Sequence, residues 1–420
     1  MAYFVALWKL LYHSKYFVKY VTYAFLFLLL CIVLHLWSIR YNIDYSNIPS
    51  NRKYPYNNSY DGPKHILVWQ HYYMMTNRKG KQKFPDLQCK INNCIFTEDK
   101  HLLGDDYSRF DAILFSESIL KKQAIRPERR SLSQIYIFST IESAYYTPAC
   151  ELHNDNFFNW TFTYRLDSDI PWPYFIVRNA TRDIVAPSVQ VNWTISKSPI
   201  TKGIKQILQH KTKAVAWLVS HCEADSLRDD YVSRLQDHLY HYSLKIDVYG
   251  RCSGRTCDDG DCEEMFTRDY YFYLAFENSF SVDYVSEKVL HGYNNYVVPI
   301  VYGGANYTRF LPPGSYLNAR ELHPYNLAYL IHEAIKHPSK YKAYFKWTNS
   351  YTFDSDVIGH HPLCNLCEAL NSKKAKRRRT YKKFRIWWNG LNGMKWCLPQ
   401  EYWNETSIVN LDGKHIFDTY

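Results

Sequence analysis

Short apolar runs recur along this chain, each broken by polar residues after a few positions. The first starts at His65 (ILVW), followed by DAILF at 111–115 and QIYIF at 134–138. A second group comprises AVAWLV at 214–219, KIDVYG at 245–250, FYLAF at 272–276 and YVVPIVYG at 296–303. Runs of roughly four to eight apolar residues, rich in β-branched and aromatic side chains, predict buried strands. SLRDDYVSRLQDHL at 226–239 and NLAYLIHEAIKH at 326–337 instead repeat apolar residues every three or four positions, which predicts amphipathic helices. Strands alternating with helices predict α/β units built on parallel sheets. The pattern weakens over 181–213, the expected join between two such halves.

One apolar stretch is much longer. Residues 21–39, VTYAFLFLLLCIVLHLWSI, contain no Asp, Glu, Lys or Arg, and about 20 such residues cross a bilayer core. Lys9, Lys15 and Lys19 precede it, so residues 1–20 are expected to stay in the cytosol. No small-residue cleavage site follows, which favours a signal anchor over a cleaved signal peptide or a buried helix. The polar stretch 40–61 reads as a flexible stem. The remaining chain is then lumenal, and two features agree. N-x-S/T sequons occur at Asn57, Asn159, Asn179, Asn192, Asn306 and Asn404. Of 11 cysteines, all but Cys31 lie outside the apolar stretch, an even number that an oxidising compartment permits to pair.

Composition adds less. Aromatic residues make up 17% of the chain, which suits both sugar stacking and an ordinary aromatic core. The net charge is +11, with a basic run KKAKRRR at 373–379. On a lumenal chain that run reads as a solvated face, and nucleic acid is not an expected partner. Part of the charge can still attract an anionic substrate.

The most informative stretch is FYLAFENSFSVDYVSEKVL, residues 272–290. With YVVPIVYGG behind it, this reads as one β-α-β unit. Ser286 is the expected N-cap of the helix, and the exposed N–H groups there favour an anion. Lys288 in the first turn opposes the helix dipole unless an anion compensates, and a diphosphate would do so. Glu277, Asn278 and Glu287 would then face hydroxyls of a ribose or sugar. Neither a G-x-G-x-x-G nor a G-x-x-x-x-G-K-[ST] motif is present. On these residues alone, a capped surface helix with a solvated lysine is an equal reading.

FYLAFENS followed by DYVSEK closely resembles the donor-binding signature of the α1,3-fucosyltransferase family, FxxxFENS…DYxTEK. FNWTFTYRLDSDIPWPY at 158–174 and AWLVSHCEADSLRDDYVSRLQ at 216–236 are similar to further family blocks, as are IDVYGRC, FLPPGSYLNA and PLCNLCEAL. The resemblance spans about 110–370, and the RCSGRTCDDGDC insert is most similar to invertebrate members. It implies a GT-B-like α/β fold, with two Rossmann-type domains facing a cleft after a single transmembrane helix and stem. The acceptor-side domain would span 62–190, the GDP-fucose-binding domain 200–355, and a cysteine-containing tail at 356–420 would pack back on the acceptor domain. The implied reaction is inverting transfer of L-fucose from GDP-β-L-fucose to a GlcNAc hydroxyl of a glycoprotein or glycolipid glycan. The implied setting is the Golgi membrane, single-pass with a lumenal catalytic domain, and a homodimer through anchor or stem. Another nucleotide sugar, or an inactive carbohydrate-binding membrane glycoprotein, are the alternatives.

The resemblance also implies roles. Lys288 and Arg228 would neutralise the diphosphate, although Arg228 read alone is a surface residue on an amphipathic helix. Ser220, Asn278 and Glu287 would bond the nucleotide or fucose, with Tyr174, Tyr273 and Tyr284 lining the site. The base would be Glu142 in QIYIFSTIESAYY, where Ser143-Ala144 replaces a commoner proline; Glu117 in AILFSES is the alternative. Phe115-Ser116-Glu117 stands where Lewis-type enzymes carry His-His-Trp, which puts a Lewis-type acceptor in doubt. Asp167-x-Asp169 and Asp259-x-Asp261 match a short D-x-D metal pattern, but structural or solvated roles are favoured for both. No metal site is assigned and no cofactor is required; a stimulatory Mn²⁺ or Mg²⁺ near the diphosphate stays open. Cys364-x-x-Cys367 fits a redox pair, half a zinc site or disulfides, and the oxidising setting favours disulfides. The family links this pair to N-terminal cysteines, for which Cys89 and Cys94 are the candidates. The pairing of the other six is not legible, nor is the acceptor: N-glycan core, LacNAc or LacdiNAc arm.

Overall fold

Each of the seven apolar runs forms a strand. The computed structural model describes residues 62–70, 88–257, 260–355, 361–376, 379–390 and 392–397, all within one unit, Tyr54–Tyr420. The predicted anchor and stem, and the sequons at Asn57 and Asn404, lie outside the described residues. Among the described residues no helix is long and apolar enough to cross a membrane.

The N-terminal half builds a sheet from β1 (Lys64–Val68), β2 (Cys94–Thr97), β3 (Ala112–Phe115), β4 (Ile135–Thr140), β5 (Trp160–Thr163) and β6 (Ile170–Pro171). Its order is β2-β1-β3-β4-β5-β6, with every pairing parallel. β7 (Ile176–Asn179) and β8 (Ile184–Ala186) then lead into the second half. There β9 (Lys213–Leu218), β10 (Ile246–Tyr249), β11 (Tyr270–Phe276), β12 (Val298–Tyr302) and β13 (Leu317–Asn318) form a second parallel sheet, ordered β10-β9-β11-β12-β13. β14 (Tyr351–Asp354) returns to pair antiparallel with β7.

Alternation along the strands sorts side chains to opposite faces of the second sheet. Val215, Trp217, Phe272, Leu274 and Ile300 pack under two long helices, α2 (Arg228–Tyr240) and α5 (Pro324–Lys336), which fall within two residues of the predicted helices. α1 (Lys202–Gln209) and α6 (Pro338–Ala343) extend that layer. Ala216, Tyr273, Ala275 and Val301 face α3 (Cys262–Asp269) and α4 (Lys288–Tyr293) on the other side.

The first sheet is covered differently. Among the described residues, short 3-10 turns such as Glu117–Leu120 lie between its strands, and no α-helix does. A parallel sheet needs both faces covered, and the C-terminal segment supplies both covers. α7 (Pro362–Asn371) sets Leu363, Leu366 and Leu370 against Ile66, Leu114, Ile137 and Phe162. α8 (Phe384–Asn389) sets Phe384 and Trp388 against Leu67, Phe115 and Phe138 on the opposite face. Disulfides staple this arrangement: Cys89–Cys364 and Cys94–Cys367 hold α7, and Cys150–Cys397 holds the stretch after α8. Cys222–Cys252 and Cys257–Cys262 brace the second half.

The D-x-D pattern and the basic run explain one another. Asp169, 2% exposed at its side chain, pairs with Arg379 and Lys374 and accepts from Tyr381 at 2.8 Å. Asp167 takes both Arg165 nitrogens and the Trp387 indole N–H. These aspartates dock the C-terminal segment, so the basic run is not wholly a solvated face. Asp261 caps α3, accepting from Glu263 and Glu264 N–H, while Asp259 lies outside the described residues.

Two predictions follow from this packing. Trp388 is 1% exposed and donates its indole N–H to Thr147. Trp388→Ala therefore lowers unfolding free energy by about 3–5 kcal/mol, measurable in denaturant titrations. Asn159 bonds Tyr136 N–H, Arg130 and the Arg379 carbonyl through its amide, and Thr161 of its sequon is fully buried. Glycopeptide mapping is expected to find Asn159 bare, with glycan confined to exposed sequons such as Asn192 and Asn306.

Candidate active site

Loops at the carboxyl ends of both parallel sheets meet at residues 141–146 and 277–288, the position where α/β folds hold ligands. β11 ends at Phe276, and the next side chain, Glu277, is 1% exposed. Its carboxylate accepts the Ser286 N–H at 2.7 Å and the Ser286 hydroxyl at 2.9 and 2.8 Å. It also accepts from Lys288 Nζ at 3.2 Å, and Nζ lies 2.8 Å from Ser286 Oγ. Gly303 after β12 leaves room for this: a Cβ there would stand 3.1 Å from Glu277 Cγ and 2.5 Å from the Tyr307 hydroxyl.

Two sequence expectations change as a result. Ser286 is not the N-cap: Glu287 holds that position in helical conformation without a side-chain bond. A buried carboxylate outcompetes a backbone N–H for the serine hydroxyl because the bond is charge-assisted. The anion that resolves the misplaced lysine is Glu277 itself, so Glu277 does not face a sugar. Lys288 keeps 25% of its side chain exposed, and Glu287 is 57% exposed, 3.8 Å from Nζ. Burial opposes the charge on Lys288, but Glu277 and Glu287 outweigh it and raise its pKa above the ordinary lysine value.

Arg228 departs from the surface position that its helical pattern alone predicts. It opens α2 yet is 2% exposed, donating to the carbonyls of Phe276 (2.8 Å) and His221 (2.6 Å). It ties the end of β11 to the loop after β9, which a helical pattern cannot reveal. Burial lowers its pKa, with Asp229 and Glu277 in opposition. Tyr273 is 1% exposed between Phe266 and His291, beneath the sheet rather than lining an open surface. Ser220 is exposed at the rim, its carbonyl accepting from Arg251. Asn278 is half-buried, its carbonyl accepting from Ser226 N–H at 3.2 Å and the Tyr146 hydroxyl at 3.4 Å.

Glu142 stands two residues beyond β4, half-buried. Its Oε1 accepts the Ser143 N–H at 2.7 Å and the Tyr284 hydroxyl at 3.4 Å. Tyr174 donates to the Ile141 carbonyl, and its ring lies 6.0 Å from that of Tyr284. Burial raises the pKa of both phenols far above the usual value. Glu117 follows β3, with one carboxylate oxygen buried and unbonded among the described residues.

Several contacts that join the two halves here carried no sequence signal beyond polarity after an apolar run. Ser143 Oγ meets Ser279 Oγ at 2.7 Å, and Tyr145 N–H donates to Ser281 Oγ at 3.3 Å. Leu166 N–H donates to buried Asp283 at 3.2 Å, and Tyr146 OH lies 3.2 Å from His221 Nε2. Among the described residues, no three His, Cys, Asp or Glu side chains converge as a metal site.

Residues 61–175 match the N-terminal fucosyltransferase family domain, and 208–387 match the C-terminal domain of glycosyltransferase family 10 (fucosyltransferase). α-(1,3)-Fucosyltransferase C of Drosophila melanogaster is 35% identical over 341 residues, covering 77% of each chain. Glycoprotein 3-α-L-fucosyltransferase A of the same fly is 29% identical, covering 78% of this chain and 60% of its own. A crystal structure of an α1,3-fucosyltransferase with GDP-fucose is 15% identical at a TM-score of 0.47, covering 76% of this chain and 94% of that one, too loose a likeness to argue from. The chain belongs to glycosyltransferase family 10, the family of the α1,3-fucosyltransferases.

Proposed function

We propose that this fucosyltransferase moves L-fucose from GDP-fucose to a GlcNAc hydroxyl of a glycan by a single inverting displacement, in a GT-B arrangement. The observation that carries this reading is the meeting, at one junction, of a lysine fixed by a buried carboxylate and a half-buried glutamate that accepts from Tyr284. In this mechanism the acceptor oxygen attacks the anomeric carbon as the bond to GDP breaks. Its proton passes to the Glu142 carboxylate. The charge growing on the departing diphosphate falls on Lys288, held in place before the reaction starts. Arg228 adds positive potential from behind, and exposed Glu287 is placed to meet donor hydroxyls. One displacement inverts the anomeric centre, whereas retention requires two.

The charge-free stretch at 21–39 and the five disulfides support a membrane-anchored enzyme with its catalytic part in the oxidising Golgi lumen. A glycan acceptor on protein is in keeping with the name of the second fly relative. Comparing GDP-fucose with UDP- and CMP-sugars as donors tests the reading; absence of fucose transfer to every GlcNAc-containing acceptor would sink it.

Glu142→Gln keeps the shape but removes the base, so kcat falls about 10²–10⁴-fold with little change in KM for GDP-fucose. Lys288→Ala lowers kcat about 10²–10³-fold. It also destabilises the fold, because the Glu277 carboxylate stays buried without its counter-charge. The double variant Lys288→Ala/Glu277→Gln regains stability in denaturant titrations while its initial rate stays low. Recovery of both, or of neither, would contradict the assigned roles.

A further inference from the structure

The loop that carries Glu142 is locked to the far end of the chain. Trp388 donates its indole N–H to the Thr147 carbonyl at 2.8 Å. Asn389 accepts the Ala149 N–H at 2.9 Å and returns a bond to the Ala149 carbonyl at 3.0 Å. Cys150–Cys397 closes the link covalently. This construction delivers Trp396 to Tyr145, three residues after Glu142, with ring centroids 5.2 Å apart at 70°. Gly393 makes it possible, since a Cβ there would stand 2.7 Å from the Trp396 indole. Tyr145 is fixed in turn by its N–H bond to Ser281 across the junction.

Both rings are half-buried, unlike the enclosed Trp388 nearby. Trp396 also lies beyond residue 387, where the family match ends. An acceptor hydroxyl must come within about 2.6–3.2 Å of the Glu142 carboxylate to lose its proton. The sugar bearing that hydroxyl therefore rests against the residues flanking Glu142. Aromatic rings offer large, rigid apolar faces at little entropic cost, a match for the C–H face of a pyranose.

We propose that Trp396, propped edge-to-face by Tyr145 on the disulfide-bonded C-terminal segment, is a stacking platform for the acceptor glycan. This rests on the fucosyltransferase reading and adds the acceptor side of the same site. The test begins with wild-type protein, GDP-fucose and three acceptors: chitobiose, N-acetyllactosamine and a core N-glycan glycopeptide. With the best of these, Trp396→Ala raises acceptor KM about tenfold, leaves GDP-fucose KM within about twofold, and Trp396→Phe recovers most of the loss. Acceptor titration quenches tryptophan fluorescence in the wild type more than in Trp396→Phe. Should Trp396→Ala fail to fold, Trp396→Phe and the quenching difference decide. An acceptor KM unchanged in both variants, or donor and acceptor KM moving together, overturns the platform alone. No transfer by the wild type to these three, to LacdiNAc or to any other GlcNAc-containing acceptor overturns the underlying reading instead.

Discussion

A carboxylate shut away from water is costly unless it is paired and fully hydrogen-bonded. Glu277 meets both conditions, through Lys288 and through the N–H and hydroxyl of Ser286. Much of the donor side depends on that arrangement. The carboxylate is anchored at the end of a core strand, so the ammonium it holds inherits the strand's rigidity. Gly303 is required because any side chain there would strike Glu277 and Tyr307. Arg228, bonded to the last carbonyl of the same strand, fixes the loop that follows β9. Two cations and one buried anion thus form a small electrostatic unit with one cation partly open to solvent, the form a preorganised charge site takes.

The acceptor side is held by a different principle. Its sheet borrows both covering layers from the C-terminal segment, one stapled by two disulfides and the other sealed by Trp388. Contacts between residues more than 200 positions apart therefore decide where Glu142 sits, through the loop at Thr147, Ala149 and Cys150. Losing the C-terminal segment would uncover both faces of a parallel sheet at once. Asp167 and Asp169 belong to this docking, their carboxylates engaged by Arg165, Trp387, Arg379, Lys374 and Tyr381.

Period-two and period-3.6 patterns are local, and what they control was legible: seven strands, two long helices and the parallel α/β class. The short strands escaped because the pattern is too brief, as in the two-residue β13, or diluted by buried threonines, as in β5. Alternation of strand and helix misled in the first half, where the helices arrive from the chain's far end. The signature around 272–290 marked the site but could not rank its carboxylates. Glu277 and Glu287 look alike in sequence; enclosure of one and exposure of the other separates an anchor from a group open to solvent. Arg228 fell on a helix edge where sequence predicts solvent, and the backbone carbonyls it serves come from other elements.

Two tyrosines line the junction beside Glu142, Tyr284 bonded to its carboxylate and Tyr174 to the Ile141 carbonyl. Burial holds both hydroxyls protonated well above neutral pH, so they act as donors that orient and do not ionise. Tyr284 can steady the Glu142 carboxylate by donating its hydroxyl to it. Glu142 is half-buried rather than enclosed, so it keeps contact with solvent. Neutral phenols beside Glu142 leave the charges of this junction on Glu142 and on the Glu277–Lys288 pair.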